Sequence, residues 1–372
     1  MNMSQYAFKS KYDVVIGGGG IAGVSAAVAA SRSGVRVAMV EKGITPGGLA
    51  VSGLVNVFLP LCDGNGNQII FGIAEELLKM SIKYGPGEIP PGWNGDGNEK
   101  ISRYMVRFSP AALGLALDEF LEENGVDVWY DTVITGTVMN GNAIAALCVH
   151  NKSGNGLIEG SSFVDATGDA DIANFAGCKL ISGVSHLSVW AEQASLKTAD
   201  ASVKYGDREL LHNMVKLGAK DSGEGAFEGE APRCGISGKI VSEYSIASRR
   251  HLREYFKEQL ADLGERAAFP IALPAIPQLR TTRRISGRET VWANSANIKI
   301  ENPAGVVPSW KECGTLWYIP KGALVPDSCE NLFAAGRIIS AEEGAAWEAV
   351  RSIPAVALTG EIAGKMAGER SS

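Results

Sequence analysis

Residues 12–42 read YDVVIGGGGIAGVSAAVAASRSGVRVAMVEK, a pattern of strand, glycine turn, helix and strand. Val14 to Ile16 is a short β-branched run of the kind a buried parallel strand shows. Gly18, Gly20 and Gly23 supply G-x-G-x-x-G. Gly18 is placed for a tight turn, Gly20 for close approach of backbone to a pyrophosphate, and Gly23 for close packing of helix on strand. Ala22 to Ala30 is small and helix-favouring, and Val35 to Val40 is a second apolar strand that ends at Glu41. The open N–H groups and positive dipole end of the helix favour a diphosphate. Glu41 falls where a carboxylate takes the ribose hydroxyls of a dinucleotide. An Ala/Gly transmembrane helix over 14–30 is too short and too rich in glycine.

Outward from that stretch, the bulk numbers are those of a globular chain. It has 372 residues, 45% hydrophobic and 20% charged, a length that suits two domains with cores of their own. Net charge is −6 and the pI about 5.5, which argues against affinity built on phosphate neutralisation and so against a nucleic-acid partner. The residues before Asp13 lack an apolar h-region, and no other segment approaches a membrane span, so neither a secretory signal nor a membrane partner is expected. Cys62, Cys148, Cys178, Cys234, Cys313 and Cys329 are scattered without C-x-x-C, and the four histidines do not pair at metal-ligand spacing. No metal site is expected, and reduced thiols in a cytoplasmic protein are.

Further along, Gly47, Gly48 and Gly53 sit in an apolar loop that either lies against a cofactor or is merely mobile. Ile73 to Tyr84 reads as an amphipathic helix, and Gly85 to Asn98 as a Gly/Pro loop. A short strand follows at Tyr104 to Phe108. Ser109 and Pro110 then open a helix that runs to Asn124 and stops at Gly125. Strands at Val126–Tyr130, Val133–Val138, Ala143–Val149 and Leu157–Val164 form a β-meander. Val164 to Cys178 (VDATGDADIANFAGC) is a strand ending in Ala166-Thr167-Gly168-Asp169, then a small-residue helix. From Lys179 to about Trp317 long polar helices such as Ser245–Leu263 replace the βαβ rhythm. Asn331–Ala335 returns as a buried strand ending in Gly336-Arg337, and Pro354–Ala367 as a helix whose start lies near Ser352–Pro354.

These motifs, in the order VIGGGGIAG, VEK, GVDVWYDT, VDATGDADIA, LRTTRRISG and NLFAAGRIIS, resemble the FAD-dependent oxidoreductase family of glutathione-reductase-like fold, near the fumarate-reductase-like and thiazole-synthesis flavoproteins. The likeness spans most of the chain and is poorest over 179–276. It implies an α/β fold: a Rossmann-like FAD-binding domain, with parallel sheet and β-meander, in two pieces (1–180 and 318–372), and an inserted α+β substrate or cap domain (181–317). It implies non-covalent FAD. Gly18, Gly20, Gly23 and Glu41 would hold the ADP half, with Lys42 beside them. Gly47, Gly48 and Ser52 would line the pyrophosphate and flavin, and Val133 would meet the adenine through its backbone. Ala166, Thr167 and Gly168 would pass close to the cofactor, with Asp169 fixing that loop. Gly336 and Arg337 would lie under the ribityl chain, and Arg351, Ser352 and Ile353 would face the pyrimidine ring. Two departures stand out. Glu343 takes the place near which the family often shows a histidine, and nothing supports iron–sulfur cysteines or a covalent flavin link.

A single G-x-G-x-x-G means one tightly held dinucleotide. A second such unit and a C-x4-C pair are absent, so electrons reach the flavin from a substrate, a transient NAD(P)H or a redox-protein partner. The expected chemistry is hydride transfer to or from flavin N5, with a small, carboxylate-bearing metabolite as substrate. Arg280, Arg283, Arg284 and Arg288 form the densest basic cluster. In an extended segment Arg280 and Arg284 share a face, either as a bidentate clamp on a carboxylate or as ion pairs in an acidic protein. His186, Tyr318 and Glu343 are the candidates for a general acid or base. The competing reading is a flavoprotein that only carries electrons or senses redox state, and a substrate domain speaks for the enzyme.

Overall fold

The computed structural model describes residues 6–89, 105–211 and 213–372. The loop expected at Gly85–Asn98 is described only to Ile89. Its remainder, and Tyr104 of the strand expected at Tyr104–Phe108, lie outside the described residues.

In chain order, β1 (Phe8–Lys11) and β2 (Val14–Gly17) lead into α1 (Ile21–Arg32) and β3 (Val37–Val40). A short β4 (Val57–Phe58) and α2 (Ile73–Ser81) precede β5 (Val106–Arg107) and α3 (Pro110–Glu123). Next come β6 (Asp127–Trp129), β7 (Val133–Asn140), β8 (Ala143–Asn151), β9 (Gly154–Glu159), β10 (Ser162–Asp165), α4 (Asp171–Phe175) and β11 (Leu180–Ser182). The middle holds β12 (Ser188–Ala194), α5 (Leu196–Tyr205), β13 (Asn213–Gly218), α6 (Gly238–Leu263) and β14 (Phe269–Ala272). The chain closes with β15 (Arg283–Ile285), β16 (Gly305–Pro308), β17 (Leu316–Ile319), β18 (Leu332–Ala334), α7 (Ala345–Val350) and α8 (Ile353–Ser371).

By packing, the described residues up to Gly48, from Val57 to Ile181 and from Arg284 onward form one unit, and Leu49–Asn56 with Ser182–Arg283 form another. The first unit is built on a five-stranded sheet in the order β18-β10-β2-β3-β6, parallel throughout. Strands β2, β3, β10 and β18 are buried along their whole length, as a parallel sheet covered on both faces requires. Helix α1 is buried from Ile21 to Ala30 because α8 lies directly on it. A Cβ on Gly360 would stand 2.2 Å from the Ala22 carbonyl oxygen, and one on Gly364 2.2 Å from that of Ala26. Small residues at four-residue spacing on both helices thus bring the backbones together.

A second sheet in this unit has the order β1-β9-β8-β7. Here the structure departs from the sequence reading three times. The strand expected at Val126–Tyr130 is not in the meander: as β6 it edges the parallel sheet beside β3. The run expected as one strand, Leu157–Val164, divides at Gly160-Ser161, β9 staying in the meander while β10 enters the parallel sheet. The amino-terminal FKSK, polar in pattern, adds β1 in parallel to β9, with Phe8 stacked on Trp129 at 5.4 Å. Asn331 ties the two sheets: its amide nitrogen donates to the Ile144 and Ser161 carbonyls, and its oxygen accepts from the Ile144 N–H. Residues 284–317, which the sequence reading placed with the cap domain, pack with this unit. There β16 pairs antiparallel with β17, and Gly305 lies against Leu358 and Ile362 of α8.

In the second unit β12 is the centre of a three-stranded antiparallel sheet, β13-β12-β14. Helix α6 begins before the expected Ser245 and covers that sheet with Tyr244, Ala247, Ser248 and Leu252, an i, i+3, i+4, i+8 stripe. The buried Gln278 side chain accepts from the Trp190 N–H and donates to the Gly53 and Trp190 carbonyls, joining the 49–56 segment to this unit. Among the described residues no helix is long and apolar enough to cross a membrane.

Candidate functional site

The loops leaving the carboxyl ends of β2, β3, β10 and β18 meet at one edge of the parallel sheet. In open α/β sheets this edge is where ligands bind. Gly18 turns the chain with φ +94°, and a Cβ there would lie 2.5 Å from the Ala166 carbonyl oxygen at the end of β10. A Cβ on Gly23 would stand only 1.8 Å from the Gly18 carbonyl oxygen, so the first turn of α1 lies directly against the glycine turn. Gly20 differs from both. Its nearest neighbour would be the Gly48 Cα at 4.0 Å, which leaves open space beside it. Gly20 is also the N-cap of α1, with no side-chain cap and no acid in the first turn, so the orphan amides of a twelve-residue helix are left for another acceptor. The Gly47 N–H donates to the Gly19 carbonyl and brings the second glycine loop alongside.

At the end of β3 the Glu41 carboxylate accepts from the Gly19 N–H at 2.6 Å and from the Gly43 N–H at 2.7 Å. Each oxygen keeps a lone pair for a further donor such as a ribose hydroxyl. Lys42 is exposed, and Val133 is 47% exposed at the start of β7. Ser52 belongs to the second unit, where its carbonyl accepts from the Ala275 N–H.

The turn after β10 is organised by a residue the sequence reading passed over. Asp165 is fully buried. One of its oxygens accepts from the Thr167 N–H and hydroxyl, the other from the Ala173 N–H at the foot of α4. Burial pushes its carboxyl up to about 6, against the pull of those donors. Asp169, expected to fix this loop, is joined to the end of β18. Arg337 donates from Nε to the Gly168 carbonyl at 2.6 Å and from Nη2 to Asp169 at 2.8 Å. The Gly336 N–H donates to the Thr359 hydroxyl on α8, and a Cβ on Gly336 would lie 3.0 Å from that of Ala22 on α1. Trp347 donates from its indole nitrogen to the Arg337 carbonyl, and the Arg351 guanidinium lies over its ring at 4.7 Å. Ser352 caps α8 in extended conformation with no side-chain cap bond, Ile353 begins the helix, and Pro354 is its second residue rather than its first.

Gly18, Gly20, Gly23, Glu41, Gly48, Ala166, Gly168, Gly336 and Arg337 are therefore neighbours around one cradle. The uncapped α1, the open space at Gly20 and the doubly anchored Glu41 fit the diphosphate and ribose of FAD. Asp165, Thr359 and the glycines of α8 support this edge. The small-residue spacing Gly360, Gly364, Gly368 is the sequence signal for the last of these.

The candidate chemical residues are not gathered in the same way. Strand alternation covers only 283–285, so Arg280 and Arg284 do not share a strand face. Arg280 in the second unit donates to Asp221 at 2.8 Å, to the Ser188 hydroxyl and to the Ala219 carbonyl. It ties β12 to the segment after β13. Arg284 in the first unit pairs with Glu343 at 3.3 Å, bringing two of the candidates together. His186 packs its ring against Gly223, and Tyr318 sits half-buried in β17 opposite Val306.

A family model described as FAD dependent oxidoreductase matches residues 13–228 and 232–369. Thioredoxin reductase of Ureaplasma parvum serovar 3 (strain ATCC 700970) is 37% identical over 71 residues, 19% of this chain. The match covers 23% of that curated protein's length. Among solved structures, p-nitrophenol 4-monooxygenase PnpA from Pseudomonas putida DLL-E4 is 14% identical with a TM-score of 0.48, over 90% of this chain and 74% of that one. A flavocytochrome c3 fumarate reductase is 13% identical with a TM-score of 0.44, over 97% and 79% of the two chains. With a family match over nearly its whole length and a glycine cradle shaped for a dinucleotide, the chain belongs to the FAD dependent oxidoreductase family, and its cofactor is FAD.

Proposed function

We propose that this protein is an FAD-dependent oxidoreductase acting on a small metabolite that carries a carboxylate, and that Arg284 receives that carboxylate. The observation that carries the substrate class is the state of Arg284. Its side chain is only 12% exposed, yet the partner it meets is a carboxylate, Glu343, on the loop between the Gly336-Arg337 turn and α7. A mostly buried guanidinium needs an anion, and guanidinium matches carboxylate geometry.

When bound, FAD supplies the site that takes or gives a hydride at N5. The orphan amides and dipole of α1 would hold the diphosphate, and Glu41 would accept from the ribose hydroxyls. Arg337, locked to Gly168 and Asp169, keeps the two strand-end loops in register and would thereby support the edge that holds the cofactor. The start of α8, with no acid in its first turn, favours negative charge at that end of the site. Arg284 orients the substrate, and of the candidate acid–base residues Glu343 and Tyr318 belong to the same unit as Arg284. NAD(P)H or a redox protein is the proposed electron partner, and a reducing cytoplasm the proposed setting.

Anaerobic mixing of the yellow holoprotein with a panel of carboxylate metabolites tests the reading. Bleaching by at least one of them, lost in Arg284→Ala at low substrate, is expected. Bleaching by uncharged analogues alone, or bleaching untouched in Arg284→Ala, would sink it.

A further inference from the structure

Arg284 and Glu343 form an unequal pair. The arginine side chain is 12% exposed and the glutamate 53%. Their contact is one N–O distance of 3.3 Å, Nη1 to Oε1, longer than the roughly 2.7–2.9 Å of a strong charge-assisted bond and without the second parallel bond a guanidinium can make. The backbone around Glu343 is pinned. The Glu342 N–H donates to the Val291 carbonyl, the Glu342 side chain accepts from the Ala293 N–H, and the Gly344 carbonyl accepts from Glu348 in α7. Glu342 is thus anchored through backbone and side chain alike, whereas among the described residues the Glu343 side chain is held by Arg284 alone.

We infer that Glu343 is an exchangeable place-holder, an internal carboxylate that covers Arg284 until the substrate's carboxylate displaces it. This rests on the reading of Arg284 as the carboxylate site. The exchange is favourable on physical grounds. A buried cation left alone is costly, so some anion must stay on Arg284 at all times. Glu343 is already half in water and loses little solvation when it swings out, with no movement of the pinned backbone. An incoming carboxylate that makes two parallel bonds replaces one long bond with two short ones. The same exchange excludes neutral ligands of similar shape, because they would have to leave Arg284 uncovered or fit beside Glu343. Glu343 therefore sets specificity by occupying the position the substrate needs.

The test is calorimetric titration of the holoprotein at fixed ionic strength with malonate, and with malonamide as the uncharged match. In Glu343→Gln, malonate should bind at least fivefold more tightly than in wild type, with malonamide unchanged. Glu343→Asp keeps the charge but shortens the reach, and should tighten malonate in the same direction. Malonate binding equal or weaker in both variants, with Arg284→Gln still abolishing it, overturns the place-holder and leaves the carboxylate site standing. Tightening in Glu343→Gln alone also overturns it, since general electrostatics would then be the cause. If Arg284→Gln binds malonate as well as wild type does, or no protein binds it, the carboxylate site itself falls and the place-holder with it.

Discussion

Gly20 and Gly23, three residues apart in the glycine turn, make opposite predictions, and together they test where the diphosphate lies. A Cβ at position 23 would stand 1.8 Å from the Gly18 carbonyl oxygen and 2.9 Å from its carbon, backbone atoms of the tight turn itself. Ordinary contact begins near 3.4 Å, so Gly23→Ala must push that turn by more than an ångström. Such overpacking costs about 1–3 kcal/mol, here in the protein with no cofactor bound. Gly20 has φ −67° and ψ 178°, a conformation open to alanine, and the nearest atom to its Cβ would be 4.0 Å away. Gly20→Ala therefore costs the apoprotein no more than about 1 kcal/mol, the difference between glycine and alanine at an N-cap. The added methyl instead fills the space in which the diphosphate approaches the backbone, and FAD affinity falls tenfold or more, about 1.4 kcal/mol. Thermal denaturation of the apoproteins and FAD titration by flavin fluorescence measure both quantities. Gly20→Ala binding FAD within twofold of wild type would refute the placement of the diphosphate. An apo Gly23→Ala as stable as wild type would refute the packing.

Other consequences follow from the same geometry. Asp165 is pushed up to about 6 from its usual 3.8, so the folded protein holds that proton more tightly than the unfolded chain does. Its contribution to stability is complete below pH 4, declines as pH rises to about 6, and is level above. Denaturant titrations across pH 4–8 should show this slope in wild type and lose it in Asp165→Asn, which also costs about 1–3 kcal/mol through the Ala173 N–H. Arg337→Lys keeps the charge but cannot serve Gly168 and Asp169 together. Stability should fall by about 1–3 kcal/mol, and FAD should be lost faster on gel filtration, whereas retention equal to wild type would count against the locking role. Gly364→Ala drives a Cβ to 2.2 Å from the Ala26 carbonyl oxygen and should lower stability by about 1–3 kcal/mol. Gly368→Ala meets the Ser33 side chain at 3.1 Å and backbone only at an ordinary 3.7 Å, the Ala30 Cα, and should cost less, and calorimetry ranks the two.

Where the sequence reading succeeded, the signal was local. The Gly18-Gly20-Gly23 turn, the all-apolar β2 and β3, the Ser109 cap with Pro110, and the Asn331–Arg337 return are each specified within a dozen residues. Where it fell short, long-range partners decided. FKSK carries no strand pattern, and it becomes β1 because Gly154–Glu159 offers a free edge and Trp129 a stacking face. Leu157–Val164 reads as one apolar run, yet its halves serve different sheets, divided at Gly160-Ser161. Arg280 and Arg284 look like a matched pair four residues apart, but Asp221 and Glu343, from remote segments, draw each to a different task. Asp165 looked like one acid among three in DATGDAD, and only burial showed it to be the one that shapes the turn.

By itself, then, the sequence determined the kind of cofactor edge this protein has. Backbone conformation, glycine spacing and apolar periodicity are properties of short stretches, and a dinucleotide is held largely by backbone. Tertiary structure alone decided which charged side chains stand together. An ion pair between Arg284 and Glu343, or Arg337 and Asp169, joins residues 59 and 168 positions apart, and no local pattern encodes which carboxylate a guanidinium will meet.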